Sequence, residues 1–162
     1  MHRITPSQPL RSDGKETEIR MKSRDIQLAM AVRDYECDMQ GVVNNAVYQN
    51  YLEHARHEFL KAHGVDFAAL TRAGVNLVVV RAELDYRASL TSGDTFIVHT
   101  RMEQMSRLKF GFHQRIVRER DGKEMITAII SGTGVNPQGR PFLPPELLPL
   151  MAAQTEPSKE TP

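Results

Sequence analysis

Apolar residues alternate with polar or small ones from residue 26, where Ile26, Leu28, Met30 and Val32 fall two apart and predict a first strand with one apolar face. The spacing then changes. Tyr48, Tyr51, Leu52, Ala55, Phe59 and Ala62 recur at steps of three and four, which predicts a helix over about 45–63 with one buried face and Gly64 as its stop. A shorter helix is expected over 66–73 before Gly74. The second half returns to a period of two. Strands are expected over 76–89, over 95–102 with Phe96, Val98 and Met102 on one face, over 108–116, and over 124–135. Ser92-Gly93-Asp94 and Asp121-Gly122 read as turns between them, and Pro144-Pro145-Glu146 as the opening of a last short helix.

The order strand, long helix, then four antiparallel strands predicts a two-layer α+β domain over residues 25–150. Residues 1–24 and 151–162 are polar and carry little to bury, so both are expected to be disordered tails. One face and the edges of so small a sheet need cover, which points to a homo-oligomer.

Composition narrows the function by exclusion. The 162 residues suit one domain, and a formal net charge of +1 provides no field for nucleic acid or an anionic membrane. No apolar run reaches bilayer length, and the first 25 residues lack a signal-peptide core, so no membrane insertion and a cytoplasmic location are expected. Cys37 is the only cysteine, which rules out an internal disulfide and fits a reducing compartment.

The chemistry concentrates between Val32 and Glu58. Asp38 sits in a polar turn, Gly41 follows, and the helix begins near Asn45. The first N–H groups of a helix lack internal partners and carry the positive end of its dipole, so they can hold a carbonyl oxygen as it gains negative charge. A carboxylate a few residues upstream can serve as nucleophile or general base.

These residues resemble the hotdog-fold acyl thioesterases of the 4-hydroxybenzoyl-CoA thioesterase type. Within that type they are similar to the single-hotdog acyl thioesterases of plant plastids and their bacterial relatives, which act on fatty acyl chains carried by acyl carrier protein. The likeness runs through Asp38-Met-Gln-Gly41-Val-Val-Asn44-Asn45-Ala46 and Glu53-His-Ala-Arg56, then Ser92-Gly93-Asp94, Gly139-Arg140-Pro141 and Pro144-Pro145-Glu146. It implies a hotdog fold, a long helix packed against a five-stranded antiparallel sheet, with sites at a homodimer interface and further pairing into a homotetramer in many members. It also implies hydrolysis of acyl-CoA or acyl-ACP thioesters, with Asp38 as the catalytic carboxylate and the Asn45 amide polarising the carbonyl.

The larger plant carrier-protein thioesterases carry an asparagine and a histidine where this chain has Gln40 and Val42, so a mechanism needing that histidine is absent here. A thiol of pKa about 8.5 leaves without a strong acid, so the simpler pair suffices.

Glu53, two turns into the helix, is the third catalytic candidate; an ion pair with Arg56 is its plainer role. The substrate-binding set is Gly41, Val42 and Asn44 around the helix start, Tyr48 of the apolar stripe, and Arg107. With Lys109, Arg115, Arg81 and Arg87, Arg107 offers charge to carrier or CoA phosphates. His54, His57 and His63 complete no metal-ligand set, Cys37 has no histidine assigned as its base, and Gly132-Thr-Gly134 lies on a predicted strand rather than in a dinucleotide loop. No cofactor is required. An aromatic acyl-CoA is the alternative substrate; a non-catalytic acyl-CoA-binding module and a hydroxyacyl dehydratase are the alternative functions, the dehydratase weakened by the lack of a loop histidine.

Overall fold

The computed structural model describes residues 19–22 and 24–152. Six antiparallel strands form the sheet in the order β1-β2-β4-β5-β6-β3: β1 is Ile19–Lys22, β2 Asp25–Ala31, β3 Asn76–Tyr86, β4 Thr95–Gln104, β5 Phe110–Arg118 and β6 Glu124–Val135. Two short strands extend it, β7 (Pro141–Phe142) beside β6 and β8 (Met151–Ala152) parallel to β4. The long helix α1 is Asn45–Ala62 and the short α2 is Phe67–Arg72. This is the expected α+β hotdog arrangement, with one strand more than the five expected on the main path.

The additional strand lies inside the segment read as a tail. Ile19 pairs with Leu28 and Met21 with Ile26, but four residues with Arg20 and Lys22 between them are too short a pattern to read as a strand. Charges on such an edge oppose pairing with a further chain. Met151 and Ala152, also read as tail, pair with Met102 and Glu103 through backbone bonds that side-chain patterning does not encode. The rest of both expected tails lies outside the described residues.

The core forms between α1 and one face of the sheet. Tyr48, Tyr51, Leu52, Ala55 and Phe59 come from the helix, and Ile26, Leu28, Phe96, Val98, Met102, Phe112, Ile116 and Ile130 from the strands. The alternation assigned this face correctly, but two polar residues share it. Gln114 Nε2 donates to the Leu52 carbonyl and to Thr100 Oγ1, both at 3.0 Å, and its Oε1 accepts from Arg56 Nη1 at 3.1 Å. The amide is satisfied on both sides, which makes its burial tolerable.

Gly132 and Gly134 are strand residues, as expected. A Cβ at Gly132 would lie 2.6 Å from the Phe110 ring and 2.8 Å from the Val78 carbonyl oxygen. The missing side chain makes room for an aromatic ring against β6.

Among the described residues β3 pairs only with β6, which leaves its other edge open. Val78, Val79 and Val80 on it are exposed, and the register shifts between Val79 and Arg81. The strand runs so that Tyr86, at its end, reaches the start of α1, where its hydroxyl donates to the Asn45 carbonyl at 3.3 Å.

Candidate active site

Residues 36–44 fold as a miniature hairpin that delivers the chain into α1. Its base is the Asn44 N–H donating to the Glu36 carbonyl (3.0 Å), its middle a bridge between Cys37 and Val43, and its tip the Asp38 N–H donating to Val42 O (2.8 Å) and the Gly41 N–H to Asp38 O (3.0 Å). Gly41 has φ +79°, in the left-handed region that a side chain opposes, so glycine closes this turn at low cost. Met39, at the tip, is fully exposed.

Asp38 Oδ1 accepts from the Gln40 N–H at 2.8 Å and the Val42 N–H at 3.4 Å. These two bonds aim the carboxyl. Oδ2 accepts no hydrogen bond among the described residues, and the side chain is exposed at the mouth of the turn. One oxygen is therefore held while the other is available to a substrate or a water.

Asn44 caps α1, its Oδ1 accepting from the Ala46 N–H at 3.0 Å. Asn45 is the first helical residue, so its own N–H has no partner within the helix. That free donor and the held carboxylate are seven residues apart in sequence and joined by the hairpin, the combination an attack on a carbonyl needs.

The C-terminal wall of the hairpin is tied to the loop that follows β3. Val43 N–H donates to Leu90 O (2.9 Å) and Val42 bridges Thr91. Tyr48 is buried, and its hydroxyl accepts from the Leu90 N–H at 2.8 Å; burial raises its pKa, so it stays protonated. Its hydroxyl thus anchors the neighbouring loop and its buried ring packs edge-on against Tyr51 and Tyr86, so Tyr48 supports the site from behind rather than presenting the substrate contact expected of it. Ser92 Oγ donates to Asp34 Oδ1 below the hairpin.

Sequence pattern missed Glu36. Its Oε2 accepts from the Tyr51 hydroxyl at 2.6 Å and from the Arg33 N–H at 2.8 Å. The polar run that made the segment read as a turn concealed this partner, because the donor, Tyr51, reads only as core from the helical stripe.

Glu53 lies apart from Asp38, exposed on α1, with His57 Nε2 4.0 Å from its Oε1. The expected Glu53–Arg56 bond is absent: the half-buried Arg56 turns inward to Gln114, whose buried amide oxygen takes its guanidinium. Burial lowers the Arg56 pKa, and Glu53 partly offsets this through space. Both residues line a cleft of about 220 Å³ with Gln49, Leu52, Val79, Ala82 and Ile130, between α1 and the open strand β3.

Of the cations, Arg81 pairs with Glu83 (2.7 Å), and Arg87 and Arg115 share Glu124 at 3.4 and 3.7 Å. Arg107 and Lys109 lie exposed on the β4–β5 turn, and no carboxylate pairs with either among the described residues. The far face of the sheet holds a hollow of about 690 Å³ whose lining includes His99, His113, Arg101, Arg115, Glu83 and Asp85; Asp38 is not part of it. Among the described residues no His, Cys, Asp and Glu side chains group to hold a metal ion, and no helix is long and apolar enough to cross a membrane.

A family model described as the thioesterase-like superfamily matches residues 32–154. The chain belongs to this superfamily. Its match opens at the strand end just before the Asp38 hairpin and takes in α1 and β3 to β8. Among relatives, the chain is 38% identical over 109 residues to Acyl-acyl carrier protein thioesterase ATL2, chloroplastic, of Arabidopsis thaliana, covering 67% of this chain and 57% of that one. It is 28% identical over 106 residues to the Long-chain acyl-CoA thioesterase FadM of Escherichia coli, covering 65% of this chain and 80% of that one. The chain spans about half the length of the first curated relatives it matches. Among solved structures, a hypothetical protein from Aquifex aeolicus superposes with a TM-score of 0.71 at 28% identity, over 78% of this superfamily member and 98% of that protein. A 1,4-dihydroxy-2-naphthoyl-CoA thioesterase from Synechocystis shares the fold with a TM-score of 0.74 at 18% identity, over 82% of this chain and 99% of its own.

Proposed function

We propose that this protein hydrolyses acyl thioesters of CoA or acyl carrier protein, fatty acyl chains first, to free acid and thiol. The observation that carries the reading is Asp38, one oxygen held and one open, on the hairpin that leads directly into Asn45, whose N–H has no partner within α1. The relatives named for acyl-ACP and acyl-CoA hydrolysis support the substrate class.

The substrate carbonyl oxygen accepts from the Asn45 N–H, with Gly41, Val42 and Asn44 framing it. Asp38 then follows one of two routes. Its carboxylate attacks the carbonyl carbon, the C–S bond breaks with the electron pair going to a thiolate, and water hydrolyses the acyl-aspartyl anhydride. Alternatively, Asp38 takes a proton from water, whose oxygen attacks. Either way the oxyanion forms at a helix N-terminus, where the dipole stabilises it. Arg107 with Lys109 receives phosphate groups of the carrier or of CoA, while Glu53, in the separate cleft beside β3, and the buried Tyr48 take no direct part. No metal or redox group enters this scheme.

The open edge of β3 is the place for a second copy. Three exposed valines and a row of unpaired backbone groups suit antiparallel pairing about a two-fold axis, which would close the cleft beside Glu53 and Arg56. Cys37, a free thiol, suits the reducing cytoplasm.

Thiol release from a panel of fatty and aromatic acyl-CoA and acyl-ACP thioesters tests the reading, with Asp38→Asn beside the wild type. Turnover that falls by at least a hundredfold in the variant upholds it. Binding of acyl thioesters with no turnover by either protein would make this a binding module, with Asp38 structural; an enoyl product from a hydroxyacyl thioester would make it a dehydratase.

A further inference from the structure

The Asp38 hairpin is short, exposed along one side and ends in a turn closed by glycine, yet it must hold a carboxylate at a set bearing from the first N–H of α1. The backbone bonds within it fix Asp38 relative to Asn44. Val42 and Val43 join its C-terminal side to the loop at Leu90 and Thr91. Its N-terminal side is joined to the helix core by the side chain of Glu36, two residues before Asp38, whose Oε2 takes the Tyr51 hydroxyl at 2.6 Å.

Tyr51 is well suited to be the fixed end. It is buried, 3% exposed, with its ring 4.7 Å from that of Phe96 on β4 and edge-on to Tyr48 at 6.2 Å, so its position is set by α1 and the sheet together. Burial, with the Glu36 carboxylate beside it, pushes its hydroxyl pKa far up, so it stays a donor throughout the working range of the protein. A hydrogen bond to a charged acceptor is also about twice as strong as one between neutral groups.

Glu36 is correspondingly well suited to be the moving end. Its side chain is held to the core by Tyr51 and to the start of its own turn by the Arg33 N–H at 2.8 Å. Its carbonyl accepts from the Asn44 N–H at 3.0 Å, which ties it to the helix cap. One residue thus touches the core, the hairpin base and the cap that precedes Asn45.

We infer that Glu36 and Tyr51 form a positioning pair, setting the bearing of the Asp38 carboxyl toward the Asn45 N–H without touching substrate. The inference rests on the thioesterase reading for its effect on rate, and on the geometry alone for its effect on the loop. Attack on a carbonyl demands near-contact alignment, and a displacement of about 1 Å costs on the order of a hundredfold in rate. Losing the pair therefore lowers kcat and leaves the binding of a distant acyl chain and carrier little changed.

The test uses Glu36→Ala, Glu36→Gln, Tyr51→Phe and the double variant Glu36→Ala/Tyr51→Phe in the full chain. Glu36→Ala and Tyr51→Phe are expected to lower kcat at least tenfold with KM within twofold. The double variant is expected to be no slower than the worse single one, because the two residues act as a unit. Glu36→Gln keeps an acceptor for the tyrosine hydroxyl and is expected to recover a good part of the rate. Amide hydrogen exchange reads the loop independently of activity: the Asp38 and Asn44 N–H groups are expected to exchange at least tenfold faster in Tyr51→Phe, with amides in the middle of α1 unchanged.

A kcat within twofold of wild type in both single variants, or unchanged exchange at Asp38 and Asn44, overturns the inference. So does exchange that speeds up equally along α1, which would mark Tyr51 as packing alone. A wild type that hydrolyses no thioester overturns the functional reading instead, and hydrogen exchange then decides whether the pair holds the loop.

Discussion

Gln114 on β5 donates to the backbone carbonyl of Leu52 on α1, 3.0 Å away, and this bond joins helix to sheet inside an otherwise apolar layer. The same amide receives Arg56, whose guanidinium has no carboxylate in hydrogen-bond contact among the described residues. Replacing Gln114 by Ala opens a void and leaves the half-buried Arg56 without its acceptor. We expect a loss of about 2–4 kcal/mol in unfolding free energy, from the volume lost and the polar group left unpaired. Gln114→Met fills the volume and isolates the polar part. Urea denaturation of both variants separates the two contributions.

Gly41 closes the Asp38 turn at φ +79°. Nothing lies within 4 Å of a Cβ built there, so Gly41→Ala meets backbone strain and no clash. The strain is about 1–2 kcal/mol, and it is relieved by opening the turn that points the Gln40 and Val42 N–H groups at Asp38. Thioester turnover is expected to fall about tenfold or more in this variant, with a thermal midpoint only a few degrees lower. A turnover equal to wild type would show that the turn does not aim the carboxyl.

His99 and His113 on the far face titrate below the ordinary imidazole value. Burial is the larger cause for both, followed by Arg115 beside His99 and Arg101 beside His113; nearby carboxylates, Asp25 and Glu124 for the first and Glu103 for the second, pull the other way. The unfolded chain therefore takes up protons first. Stability present above about pH 6.5 is lost as the pH falls through that value toward the folded-state pKa values. The thermal midpoint is expected to drop between pH 7.5 and pH 5.5, and His99→Gln/His113→Gln is expected to reduce that drop. A pH-independent midpoint in the wild type would contradict the assignment.

Val80 stands at the register shift of β3, 49% exposed. A lysine there is expected to keep the fold and to place charge on the edge proposed to receive a second copy. Light scattering on Val80→Lys is expected to show monomer where the wild type is at least a dimer. Loss of acyl-thioester turnover alongside is expected if that pairing completes the cleft between α1 and β3. A wild type that scatters as a monomer at micromolar concentration would remove this arrangement.

The elements with a sustained period were readable from the chain alone. The α1 stripe from Tyr48 to Phe59 and the alternation through β4, β5 and β6 both report burial, and burial is what the patterns encode. The placement of Asp38 in a turn and of Asn45 at the start of α1 was readable for a different reason: a carboxylate, a glycine and a capping asparagine in order constrain the local backbone strongly. What escaped reading depends on partners distant in sequence. Gln114 looked like one polar position in a strand until Arg56, 58 residues away, met it. Arg56 looked like the partner of Glu53, since helical spacing permits that pair, and tertiary packing drew it away. Strand β1 escaped because its pairing with β2 is made by backbone groups, which every residue carries alike.

The ring of Phe110 occupies the space that a side chain on Gly132 would need. Between them the two positions hold one ring's worth of volume. A smaller residue at 110 would remove only half of the obstacle, because the Val78 carbonyl oxygen of the neighbouring strand still stands 2.8 Å from a Cβ at 132. Relatives of this chain should therefore keep glycine at 132 even where 110 varies.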